Sequence, residues 1–205
     1  MQLIGAVLRF TCLAILLFFV TAPSAVLSVQ AEKRAMSGSI DVEHSTMTVH
    51  VYRSGLFSFA GDNHEIQSPI AAGTVDEAAR TVEFTVDVRR MRVLDPNLSA
   101  DKRSQVQEKM LSSDVLDPDR YPEIKFRSTK VELKSSNALS VSGKLTLHGQ
   151  TRPLNVNVVS SQLRYRGSAT LKQTEFGIKP ISIGGGAIKV KDEVRIDFDI
   201  VTRQP

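Results

Sequence analysis

Val194-Arg195-Ile196-Asp197-Phe198-Asp199-Ile200 alternates apolar and charged residues at every step. A repeat of two is that of a β-strand, whose successive side chains point to opposite faces. The segment therefore predicts a strand that buries Val194, Ile196, Phe198 and Ile200 and leaves Arg195, Asp197 and Asp199 in solvent. The same alternation recurs upstream. Leu139, Val141, Gly143, Leu145 and Leu147 alternate with Ser140, Ser142, Lys144, Thr146 and His148, and Leu154, Val156 and Val158 with Asn155 and Asn157. Similar patterns cover 46–52, 81–88, 124–133 and 167–172.

Turn-forming residues separate these runs: Ser135-Ser136-Asn137, Gly149-Gln150-Thr151-Arg152-Pro153 and Lys191-Asp192-Glu193. Links this short join antiparallel neighbours, because parallel strands need long crossovers. One segment departs from the pattern. Ser99 can cap a helix running to about Ser112, with Asp101 in its first turn and Val106, Met110 and Leu111 on one face. Asp95-Pro96 and Asp117-Pro118 bound it. The expected fold is all-β, with seven or eight antiparallel strands and one helix in a long connection. A sheet of that size closes into a barrel or a sandwich, which removes exposed edges. A barrel of about eight strands can hold one small ligand.

The N-terminal segment has a different composition. Arg9 precedes an apolar run from Phe10 to Val20, and Val29-Gln30-Ala31 places small residues where a signal peptidase reads. Residues 1–31 are expected to be a secretory signal peptide, and 32–205 a single domain. The apolar run, residues 10–20, is shorter than the ~20 apolar residues needed to cross a bilayer. Cleavage after Ala31 leaves 174 of the 205 residues and removes Cys12, the only cysteine. Disulfides, thiol catalysis and cysteine-bound zinc are then excluded. Net charge is +4 and its basic residues are mostly interleaved with acids, so no nucleic-acid partner is expected. Arg89, Arg90 and Arg92 form the sharpest cluster, best read as a solvated strand end.

Chemistry-bearing patterns are few. His44, His50, His64 and His148 show no ligand spacing on a helix. Asp62-Asn63-His64-Glu65 is the densest polar knot, either a polar rim to a pocket or an ordinary turn. No Gly-x-Ser-x-Gly elbow occurs, and Asp197 and Asp199 sit on the solvent face, where burial cannot tune a carboxylate for acid–base work. Gly184-Gly185-Gly186 lacks the lysine and helix of a phosphate loop and reads as a link between strands. Phe57, Phe59, Phe84, Phe126, Phe176 and Phe198 are spread over most strands. Together with Leu145 and Leu147 they either line a cavity for a long apolar ligand or fill an ordinary core. Periodicity alone leaves both open.

Four motifs occur in order: Met110-Leu111-Ser112-Ser113-Asp114-Val115-Leu116-Asp117; Tyr121-Pro122-Glu123-Ile124-Lys125-Phe126-Arg127-Ser128; 141–151 (VSGKLTLHGQT); and Glu175-Phe176-Gly177-Ile178. With them the chain, from about Ser39 to Val201, resembles the YceI-like family of bacterial polyisoprenoid-binding, lipocalin-like proteins. The resemblance implies an antiparallel barrel holding a long-chain amphiphile such as an isoprenoid or quinone, without a catalytic cofactor. It also implies a periplasmic or secreted location, transient membrane contact and a homodimer. Many members carry His-Leu where Met110-Leu111 stands, an aromatic at Val115 and Arg at Gln173, so the hold on a ligand's polar head does not transfer. The function expected is a non-enzymatic binding or carrier protein. Two alternatives stand beside it: a metal-dependent or enzymatic protein using His64 and His148 at the barrel mouth, and a structural module with a filled core.

Overall fold

In a computed structural model, residues 37–55 and 63–203 are described. The strands are β1 (Ser37–Ser39), β2 (Thr46–Ser54), β3 (His64–Gln67), β4 (Ile70–Asp76), β5 (Thr81–Asp87) and β6 (Arg92–Val93). Helix α1 (Ala100–Leu111) follows, and then β7 (Glu123–Ser135), β8 (Ala138–Leu147), β9 (Gln150–Ser161), β10 (Arg164–Lys172), β11 (Ser182–Ile183) and β12 (Ile188–Val201). All pairings are antiparallel, in the order β1-β4-β5-β7-β8-β9-β10-β12-β2-β3-β6.

Two bent strands curl this sheet into a barrel. β3 pairs with β2, whereas β4, only Ser68 and Pro69 further on, pairs with β5. Proline has no N–H for the ladder, so Pro69 breaks the strand where it must change partners. The second bend lies between β5 and β6, at a single 3-10 turn over Val88–Arg90. β6 then pairs back onto β3. Taken as staves, β2, β3–β4, β5–β6, β7, β8, β9, β10 and β12 make the eight walls of an antiparallel barrel. β1 covers the seam. Ile40 N donates to Gly73 O at 2.9 Å, and Arg203 N donates to Ser39 O at 2.9 Å, which ties the start of the domain to its end.

The helix lies where expected. The Ser99 hydroxyl accepts from Lys102 N, and Ser112 follows the last turn. Gln107 fastens it to the barrel by both ends of its amide: Oε1 accepts from Val93 N at 2.8 Å, and Nε2 donates to Met91 O at 2.9 Å. That satisfies two backbone groups at the edge left by short β6.

Two expected turns are not turns of that kind. Lys191-Asp192-Glu193 lies inside β12, at a register shift between Val190 and Val194. The Asp192 carboxylate accepts from Thr174 N at 2.9 Å and Thr174 Oγ1 at 2.7 Å, so this polar trio serves a bulge rather than a chain reversal. In 149–153 only Gly149 belongs to the turn, which it makes with His148, both with positive φ (72° and 48°). Gln150 already opens β9.

Charges occupy the outer face. Arg164 grips Asp199 through Nε at 2.6 Å and Nη2 at 2.7 Å, and Arg166 Nε adds a third bond at 2.9 Å. Hydrogen bonding from Arg164, ahead of that from Arg166, holds the Asp199 carboxyl below the ordinary carboxylate range. A carboxyl with a depressed folded-state pKa stabilises the fold above its unfolded value, about 3.9, and loses that contribution as pH falls through the folded value. Asp199→Asn is therefore expected to lower stability at pH 7, with the deficit shrinking on acidification below about pH 4. Urea unfolding of both proteins across that range measures it.

Candidate ligand-binding lumen

The barrel encloses a cavity of about 880 Å³, lined by residues from β2 to β5, from β7 to β10, from β12 and from α1. That is near the top of the roughly 300–1,000 Å³ typical of small-molecule sites. Its middle is apolar, built from the inward positions of the alternating strands, such as Val49, Val82, Val156 and Ile196.

The cavity stays open because its largest rings lie against its wall. At Gly143 a Cβ would come within 2.4 Å of Phe126 Cζ, and at Gly167 within 2.6 Å of Phe198 Cζ. Each phenyl thus occupies the space left by a glycine on a nearby strand, instead of crossing the lumen. Phe84 stands opposite Phe126 and stacks on it, ring centroids 5.5 Å apart. Ala169, another small inward position, adds to the open space.

Of the residues singled out in the sequence, Phe84, Phe126, Leu145, Leu147 and Phe198 line this lumen. Phe57 and Phe59 lie outside the described residues. Phe176 is 2% exposed and packs in the core, in a 3-10 turn after β10, rather than among the lumen-lining side chains.

The two ends of the lumen differ. At one, Glu77 and Arg80 from the β4–β5 hairpin meet Gln162 and Tyr165 from the β9–β10 side. The Tyr165 hydroxyl donates to the Glu77 carboxylate across this mouth. Burial first, and the Glu77 carboxylate second, push the phenol well above its ordinary range, so it stays a donor. Leu133, exposed by 59%, sits on the same rim.

At the other end, beneath α1, the lining carries Arg53, His64, Lys102, Lys109 and Lys189. His64 Nδ1 lies 2.6 Å from Asp95 Oδ2, and Asp95 Oδ1 accepts from Glu65 N at 2.7 Å. The Asp95 side chain is 3% exposed, so this carboxylate is committed to orienting the imidazole. A neutral imidazole that donates through Nδ1 keeps Nε2 as an acceptor. Nothing local in the sequence signals this pair, whose members lie 31 positions apart.

His148 does not join His64. It sits in the β8–β9 turn, its Nδ1 3.2 Å from Phe176 O and its ring 4.3 Å from that of Tyr121, and it is not part of the lumen lining. Neither histidine belongs to a close group of three potential metal donors among the described residues. Such a group does form at the surface from Asp41, Glu43 and His44, where Asp41 is already held by Arg203 at 3.1 Å and His44 at 3.0 Å.

Comparison with known proteins gives a consistent picture. A model of the YceI-like domain matches residues 39–202. A UPF0312 protein of Vibrio cholerae serotype O1 is 27% identical over 168 residues, covering 76% of this chain and 85% of that one. A UPF0312 protein of Pseudomonas syringae pv. tomato is 36% identical over 103 residues, covering 45% of this chain and 52% of its own. Among solved structures, Burkholderia cenocepacia BcnA superposes with a TM-score of 0.60 at 20% identity, over 80% of this chain and 99% of that one. That likeness shows the fold.

Proposed function

We propose, from the premise that this chain belongs to the YceI-like domain family, that it is a non-enzymatic carrier which holds one long-chain apolar ligand inside its barrel. The observation that carries this proposal is the 880 Å³ lumen, apolar along its middle and polar at both ends. Burying a tail there supplies the affinity. Each CH₂ removed from water contributes about 0.8 kcal/mol, so a dozen carbons give roughly 10 kcal/mol before the cost of association. An isoprenoid, a quinone tail or a fatty chain all meet that requirement.

The remaining parts of the proposal concern where it works. Residues 1–31 read as an export signal, which puts the barrel in the periplasm or outside the cell, where insoluble lipids need a soluble carrier. Loading from a membrane then requires transient contact with it. The mouth bearing exposed Leu133 suits that contact better than the end under α1.

A fluorescent polyene fatty acid tests the lumen directly. Delipidated protein is expected to raise its emission to saturation at one probe per chain, and an unlabelled isoprenoid alcohol is expected to displace it. Absence of saturable uptake would contradict the proposal.

A further inference from the structure

We infer that the Tyr165–Glu77 bridge is a latch across the entrance of the lumen, and that a long-chain ligand enters and leaves when it opens. This rests on the carrier function proposed above and adds the route of the cargo and the contact that sets its rate.

The two ends of the lumen are closed in different ways. Beneath α1 the cover is a whole helix, which contributes Val106 and Met110 to the lining. Met110 is buried, and Gln107 fixes the helix to Val93 N and Met91 O. Lifting α1 would expose Met110 and leave backbone groups of two buried residues without partners, so this end is held shut.

At the opposite mouth a single side-chain contact makes the closure. Tyr165 is the first inward-facing residue of β10, and stands opposite Ile200 of β12, which also lines the lumen. Its hydroxyl donates to the Glu77 carboxylate on the β4–β5 hairpin. β4 and β10 do not pair in the sheet, so the bridge joins two staves that the backbone leaves apart. Just inside it lie Val75, Val82 and Leu139, and a tail that passes the bridge meets apolar wall at once.

This contact can open without unfolding anything. Glu77 is exposed, and the hairpin is held by its own bond, from Ala79 N to Asp76 Oδ1 at 2.7 Å. Releasing Tyr165 therefore breaks no backbone hydrogen bond, and water takes over both the hydroxyl and the carboxylate. A bond made alike around a filled and an empty lumen slows entry and exit by the same factor and leaves affinity unchanged.

The test separates rates from affinity. The fluorescent polyene fatty acid is mixed with delipidated protein by stopped flow to measure uptake, and drawn from loaded protein by excess phosphatidylcholine vesicles to measure release. Tyr165→Phe keeps the ring and removes the hydroxyl. It should speed both steps by about tenfold, the size of one hydrogen bond to a charged acceptor, at unchanged affinity. Glu77→Ala should do the same, and the double variant should be no faster than either single one, because each removes the same bond. Gln107→Ala at the other end should leave both rates as in the parent. Unchanged rates in the two latch variants, factors that multiply in the double variant, or acceleration by Gln107→Ala in their place overturn the latch and leave the carrier function intact. Faster release with unchanged uptake does so too, since it makes Tyr165 a contact of the bound ligand. A parent protein that takes up no probe overturns the carrier function itself. Unfolding temperatures of the latch variants are expected to match the parent, and acceleration that tracks a lowered melt overturns the latch in favour of a loosened barrel.

Discussion

Ala169→Phe is expected to abolish uptake of long-chain ligands while leaving the barrel folded. Ala169 is 7% exposed, lies midway along β10, faces the lumen and stands opposite Ile196. A phenyl ring at that position has no glycine to lie over and must project into the cavity. It would displace about four methylenes of a threaded tail, each worth about 0.8 kcal/mol, a loss of roughly 3 kcal/mol. At 1.4 kcal/mol per tenfold, affinity should fall by more than about a hundredfold. Stability should hold or rise, because the ring fills empty space and makes new dispersion contacts. Titration with the polyene probe and a thermal melt measure the two effects together. A variant that binds like the parent would place the ligand outside the lumen.

Gly143→Val should have the opposite profile, a large loss of stability. A Cβ at residue 143 would sit 2.4 Å from Phe126 Cζ and 2.8 Å from the backbone oxygen of Arg127. The ring can rotate away only into the lumen or onto Phe84, and the carbonyl belongs to the β7–β8 ladder and cannot retreat without breaking it. Overpacking of well-packed sites costs 1–3 kcal/mol, and a clash with backbone as well as ring puts this substitution at about 3 kcal/mol or more. For a domain of this size that corresponds to a fall of roughly 6–12 °C in unfolding temperature. Gly167→Val should behave alike, since its Cβ would meet Phe198 and the Asn157 carbonyl. A melt within a degree of the parent would mean that the rings do not rest on these glycines.

The two substitutions separate what was legible in the sequence from what was not. Alternation in Leu139–Leu147 and Val194–Ile200 located β8 and β12 and assigned their inward faces, because period two reports orientation directly. Ser99 and Ser112 bounded α1 because the residues that cap a helix are few. β3 and β4 gave no such signal. Pro69 interrupts them, and Ala71-Ala72-Gly73 is too small to alternate visibly, yet this bent strand is what closes the barrel. Lys191-Asp192-Glu193 misled for a related reason, since a polar run inside a strand is written like a turn when its hydrogen-bond partner, Thr174, lies elsewhere.

The hollow interior was the part that periodicity could not supply. It says that Phe126 and Phe198 point inward, but not that each ring ends over a glycine on another strand. The same limit applies to the polar ends. His64 meets Asp95, and Tyr165 meets Glu77, only after the chain has wound around the barrel. Membership of the YceI-like family extends the account of the fold, while the lumen's two unlike ends are properties of this chain's own residues.

The most direct test of the central claim is the content of the barrel itself. Protein purified without detergent from cells that make it is extracted with organic solvent, and the extract is examined by mass spectrometry beside native mass spectrometry of the intact chain. The lumen predicts one long-chain amphiphile per barrel, lost after delipidation and regained on mixing with a lipid extract. A chain that carries no such compound and takes none up, at its bare mass throughout, would contradict the account.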